Sequence, residues 1–239
     1  MVDIDLERLA DAYRLRPMSG AARDRAELSS AGIRGWMIDV GGGTGDHAST
    51  WACPGRRPVV VDPASAMLVR ASQHRGIDVV CGTAQALPFR DGTVALVYFH
   101  LSIHYGDWRR SVAEALRVTE PDGRIDIWTM GPEAIEQSSL GRWFPKVVEI
   151  DRKRFPDPSV IADHCAGGAA RVEIAHTRET VSRTAGDWMD AVNARFVSTL
   201  QLLDDAEISA GLDRFTAANP DREAPYRYEL MLTRITTTV

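Results

Sequence analysis

One stretch restricts the possible folds of this chain more than any other: Trp36-Met37-Ile38-Asp39-Val40 followed by Gly41-Gly42-Gly43-Thr44-Gly45-Asp46-His47. The first five residues read as a buried parallel strand, the next five hold four glycines, and the segment from Asp46 to Ala52 is compatible with a helix. Glycine supplies φ > 0 and room for a close backbone approach without a steric cost. A helix starting after such a turn presents unpaired N–H groups and the positive end of its dipole. The pattern predicts a strand, a tight turn and a helix start, suited to a nucleotide-like or carboxylate-bearing ligand.

Spacing narrows the choice. The dinucleotide fingerprint is G-x-G-x-x-G, and counted from Gly41 its third glycine falls on Asp46. The alternative Asp39-x-Gly41-x-Gly43-x-Gly45 resembles the first motif of class I S-adenosylmethionine-dependent methyltransferases, of the small-molecule type related to ubiquinone and menaquinone biosynthesis. The resemblance implies that Gly41, Gly42, Gly43 and Gly45 hold the methionine part of S-adenosylmethionine beside Asp39. It also implies that an acid at the end of the next strand holds the ribose. That strand is Val59-Val60-Val61-Asp62, and Asp62 lies 21 positions after Gly41. A carboxylate there can accept from both ribose hydroxyls, as in dinucleotide folds.

The same resemblance extends along the chain. Tyr13 and Arg16 match an aromatic-plus-arginine element that closes over the cofactor's carboxylate. Pro63 and Met67 fall in the stretch that packs on adenine. Gly82-Thr83-Ala84-Gln85-Ala86-Leu87-Pro88-Phe89 is similar to the family's G-D-A-x-x-L-P-F, with Thr83 in place of the acid that binds the adenine amino group. A hydroxyl can accept that bond without charge assistance. Phe99, at the end of the fourth strand, completes the implied cofactor set.

His100-Leu101-Ser102-Ile103-His104-Tyr105 follows that strand at its carboxyl end, where open α/β sheets bind ligands. The Asn/Asp-Pro-Pro-aromatic motif of enzymes that methylate nucleobase amines or glutamine amides is absent there. His104, then His100, are the candidate proton acceptors, because a neutral imidazole can take a proton near neutral pH. Tyr105, Trp143 and Phe144 are the candidate substrate-lining residues, the last two in an expected lid over residues 131–158. Arg152 and Arg154 in that lid could meet an anionic substrate or be solvated helix positions.

The 239 residues can bury a full core, and 44% hydrophobic with 26% charged residues is ordinary for a globular chain. A net charge of −5 removes the usual electrostatic term of nucleic-acid binding. No apolar run is long enough to span a membrane and the N-terminus is acidic, so a cytoplasmic protein is expected. Cys53, Cys81 and Cys165 are odd in number and widely spaced, against a disulfide framework or paired metal ligands; Cys53 and Cys81 read as buried small hydrophobes.

The expected architecture is one α/β domain: a doubly wound, Rossmann-like sheet of seven strands with the last antiparallel, an N-terminal helical cap and a lid. Residues 1–31 form the cap, 32–130 the cofactor-binding half, and 131–239 the lid and substrate-side half. A single long helix is expected over Gly186–Leu203, and Asp204 and Asp205 are placed to cap the next one. Expected activity is methyl transfer to a small molecule. Two other classes stay open: a fold of this type that binds the cofactor without transferring methyl, and a nicotinamide-dependent reductase.

Overall fold

The computed structural model describes residues 4–13, 15, 18–169 and 171–239. Seven strands, β1 (Gly35–Val40), β2 (Arg56–Asp62), β3 (Asp78–Cys81), β4 (Val94–His100), β5 (Thr119–Thr129), β6 (Arg171–Thr184) and β7 (Pro225–Thr238), form one sheet in the order β3-β2-β1-β4-β5-β7-β6. Strands β1 to β5 pair in parallel, and β7 runs antiparallel to β5. Strand order reverses between β1 and β4, the position where doubly wound sheets open a crevice at their carboxyl ends.

Eleven α-helices occur among the described residues. They are α1 (Leu6–Tyr13), α2 (Gly20–Ser30), α3 (Asp46–Ser49), α4 (Ser65–Ala71), α5 (Trp108–Val118), α6 (Pro132–Glu136), α7 (Ser139–Trp143), α8 (Pro145–Arg154), α9 (Pro158–Ala166), α10 (Ala185–Asn193) and α11 (Asp205–Ala218). Their ends follow local chemistry. Asp107 caps α5 by accepting from Arg109 and Arg110 N–H, and Asp157 caps α9 ahead of Pro158. At α11, Asp204 and Glu207 form a reciprocal capping box.

The chain divides into two compact units. One comprises residues 18–131, 155–177 and 232–239, and the other residues 1–17, 132–154 and 178–231. The first holds the sheet's central strands. Ile38, Val40, Val97, Phe99, Ile125 and Ile127 alternate onto one sheet face and pack against Val112, Ala115, Ile161 and Cys165 of α5 and α9.

The opposite alternation mixes the buried apolar residues Met37, Leu96 and Trp128 with polar ones. Asp39, Tyr98 and Asp126 stand side by side in register on β1, β4 and β5, and all three are buried. Arg234 pairs with Asp126 at 2.6 Å. A buried pair of this kind is costly to break, since a lone charge would remain.

The second unit is built on Trp143, Phe144, Trp188, Phe215 and Tyr226. Here the expected long helix is two pieces: α10 stops at Asn193, and a 3-10 turn occupies Ser198–Leu202. Arg195 between them takes φ +53°. Its guanidinium donates to the carbonyls of Leu200 and Leu203 and pairs with Asp205. Periodicity continued through the break because the apolar positions bury on both sides of it.

Cys165 is buried, but Cys53 and Cys81 are exposed, correcting the sequence reading. Both lie where chain ends leave the sheet edge, at the turn before β2 and at the last residue of the edge strand β3.

Candidate functional site

Each glycine after β1 is required for its own reason. Gly41, Gly43 and Gly45 adopt φ of +66°, +55° and +76°. A Cβ on Gly41 would lie 2.7 Å from Ser102 Cβ, and one on Gly42 would lie 2.6 Å from Asp39 Cγ. The close approaches seen are therefore to the chain's own atoms, a demand that the sequence reading did not include. Helix α3 is only four residues long, so the dipole argument made from the sequence carries little here.

The acid at the end of β2 reaches this loop. Asp62 is buried, Oδ2 accepts from Gly43 N–H at 3.0 Å, and Oδ1 accepts from Ala64 N–H at 2.9 Å. Gly82 N–H donates to Asp62 O at 3.2 Å, tying the turn that carries Thr83 and Ala84 to the same strand end. Beneath the loop, Asp39 is fully buried and its carboxyl is pushed up to about 8. Desolvation is the main cause, with repulsion from Asp62 adding to it and a hydrogen bond from Ala48 N–H opposing.

The segment after β4 is locked. Leu101 takes φ +53°, an uncommon conformation for a branched residue, and donates N–H to Trp128 O at 2.8 Å. Ser102 Oγ donates to Val40 O at 2.6 Å, and Gln85 Nε2 to Tyr105 O at 3.0 Å. His104 is thereby set with its ring stacked 3.9 Å from Phe155 and 4.4 Å from Tyr105. His100 points to the other sheet face, 4.3 Å from the His47 ring and 3.4 Å by Nε2 from Arg25 Nη2.

The family described as "Methyltransferase domain" matches residues 38–127, the span from β1 through β5 that holds the glycine loop, Asp62 and both histidines. Over these residues the chain is similar to methyltransferase domains.

The malonyl-[acyl-carrier protein] O-methyltransferase of Methylococcus capsulatus is 30% identical over 128 residues, covering 48% of this chain and 46% of the relative. The ubiquinone/menaquinone biosynthesis C-methyltransferase of Rubrivivax gelatinosus is 37% identical over 93 residues, covering 37% of each. The chain thus spans less than half the length of these curated relatives. Among solved structures, a protein assigned to methyl transfer in an antibiotic biosynthesis pathway of Anabaena variabilis superposes with TM-score 0.70 at 20% identity. That match covers 98% of this chain and all of the other.

The other residues expected at the site fall as follows. Met67 is buried on α4, Pro63 is exposed directly after Asp62, and Thr83 is exposed in the turn after β3. Phe99 is fully buried in the hydrophobic core, so its ring is a packing element. Tyr13 ends α1 and belongs to the other unit, and Arg16 lies outside the described residues. Trp143 and Phe144 are core residues of that other unit: Trp143 Nε1 donates to Tyr226 Oη at 2.9 Å, and Phe144 fills the space beside Gly211. Arg154 is likewise internal, donating to Ser198 and Thr199 hydroxyls, and Arg152 pairs with Glu136.

Sequence reasoning missed Arg25, His47, Ser102 and Phe155. Of these, only His47 and Ser102 carried a signal, since both sit in stretches already singled out. Arg25 and Phe155 reach the domain from distant segments. Among the described residues no group of three His, Cys, Asp or Glu side chains could hold a metal ion, and no helix is long and apolar enough to cross a membrane.

Proposed function

We propose that the methyltransferase domain binds S-adenosylmethionine over the glycine loop and catalyses methyl transfer to a small-molecule acceptor, leaving S-adenosylhomocysteine. The observation that carries this reading is the hydrogen bond from Gly43 N–H to Asp62 Oδ2, which joins the loop and the ribose-binding acid in one buried unit. The residues fit the cofactor: a carboxylate oxygen can accept more than one hydrogen bond, so Asp62 can serve the loop and vicinal hydroxyls together. When bound, the cofactor supplies a methyl group on a positively charged sulfur.

The chain's own part is to orient, exclude water and move a proton. Gly41–Gly45 and Asp62 orient the cofactor, with Pro63, Met67, Thr83 and Ala84 beside its adenine end. His104 takes the proton from the acceptor, and the Phe155 and Tyr105 rings hold it in place. The relatives named above are an O-methyltransferase of a malonyl group on acyl-carrier protein and a C-methyltransferase of quinone biosynthesis. Thermal unfolding tests the reading: S-adenosylmethionine or S-adenosylhomocysteine at about 100 times its dissociation constant adds roughly 2.7 kcal/mol, whereas NAD adds nothing. Stabilisation by NAD alone would overturn it.

A further inference from the structure

We propose that Arg25 is a positioning residue that holds His100 in one neutral tautomer, with the proton on Nδ1 and the Nε2 lone pair accepting from the guanidinium. His100 then acts as a hydrogen-bond donor and not as a proton acceptor. The division of labour rests on the reading of His104 as the base; the tautomer itself does not.

A guanidinium is always charged and offers only donors. Its Nη2 lies 3.4 Å from His100 Nε2 with hydrogen-bond geometry. The ring nitrogen must therefore present its lone pair, because a proton there would set two donors head to head. The tautomer required is the one that histidine in water favours less.

Arg25 has little room to turn away. Arg25 is 7% exposed on α2, and its guanidinium carbon lies 5.6 Å from the centre of the Trp128 ring. Ser29, one turn further along α2, accepts from Trp128 Nε1 at 3.2 Å, and its carbonyl accepts from Arg124 at 3.1 Å. Trp128 is the register partner of His100. Helix α2 is thus fastened to the carboxyl end of β5 beside the histidine that Arg25 addresses. From α3, the His47 ring lies 4.3 Å from His100, and Tyr98 of β4 lies 6.2 Å away and nearly parallel.

Long-range proton–nitrogen correlation spectra of ¹⁵N-histidine protein read the tautomer directly. The chain has six histidines, and the His100 signals are those lost in His100→Gln. In wild type with S-adenosylhomocysteine, His100 should show a protonated Nδ1 and an unprotonated Nε2. Arg25→Met should shift it to an Nε2–H or mixed form, and Arg25→Lys, again a pure donor, should restore the wild-type pattern. Ser29→Ala loosens α2 but keeps the guanidinium, so it should leave the tautomer unchanged.

A wild-type His100 protonated on Nε2, or an Arg25→Met spectrum equal to wild type, overturns the proposal. Should Arg25→Met not fold, the wild-type and Arg25→Lys spectra still decide it. Because no turnover is measured, failure of methyl transfer and failure of the tautomer assignment are separate results.

Discussion

Gly43 N–H donates to Asp62 Oδ2 at 3.0 Å, across 19 residues of sequence. The acid that would hold the ribose therefore also fixes the backbone that would hold the rest of the cofactor. A substitution at Asp62 acts on both.

Asp62→Ala should lower affinity for S-adenosylhomocysteine about ten- to a hundredfold, since hydrogen bonds to a charged group contribute about 1.5–3 kcal/mol each. It should also lower the unfolding temperature without ligand, because Gly43 and Ala64 N–H lose a buried acceptor. Asp62→Asn keeps one acceptor oxygen and should lie between. Calorimetry with unchanged affinity for Asp62→Ala would place the ribose elsewhere.

Gly42→Ala tests whether the loop has slack. The new methyl would sit 2.6 Å from Asp39 Cγ and 2.8 Å from its Oδ2, both immobile in the core. Overpacking of this kind costs about 1–3 kcal/mol. Gly20→Ala is the control, with no atom within 4 Å at the start of α2, and should leave stability unchanged or slightly raised. Equal melting curves for both variants would mean that the loop can shift freely.

The pH dependence of stability follows from Asp39, whose carboxyl is raised from 3.8 to about 8 by burial and by Asp62. Between those values the folded protein keeps a proton that the unfolded chain has released. Stability due to this group therefore falls as pH rises through that window and levels off above it, with a slope of at most about 1.4 kcal/mol per pH unit. Asp39→Asn removes this titration. The wild type should lose stability relative to Asp39→Asn between pH 5 and 8, and parallel curves would contradict the burial argument.

What could be read from the sequence was whatever depends on neighbours along the chain. The glycine loop, the strand ending in Asp62 and the helix cap at Asp204 are local, and the structure has them where the pattern put them. Residues whose role depends on distant partners were not legible. Trp143 and Phe144 gave an aromatic pair but no sign that Tyr226 and Gly211 would enclose them. Arg25 looked like any charge on a polar helix until the fold set it against His100 and Trp128. Phe99 followed the strand alternation into the core, where a family position had suggested a ligand contact.

Arg195 shows the same limit and gives a stability test. Its guanidinium closes the turn after α10 through Leu200 O, Leu203 O and Asp205, with the backbone at φ +53°. Arg195→Ala should cost at least one charge-assisted bond, about 1.5–3 kcal/mol, in denaturant unfolding. No change would mean that water replaces the guanidinium in full.

His104 as proton acceptor and His104 as a packing ring differ in kinetics. Removing a general base costs about 10²–10⁴-fold in rate, so His104→Gln should lose turnover by that factor while still binding S-adenosylhomocysteine as wild type does. Phe155→Leu leaves the imidazole but removes the ring stacked 3.9 Å from it. An aromatic pair contributes about 0.5–1.5 kcal/mol beyond its area, so loss of orientation should slow turnover only about two- to tenfold. Both variants should stay folded, since His104 and Phe155 are only partly buried. If His104→Gln turns over within a fewfold of wild type at every pH, the acceptor arrives already deprotonated. Catalysis then rests on alignment and desolvation, and Phe155→Leu should be the slower of the two.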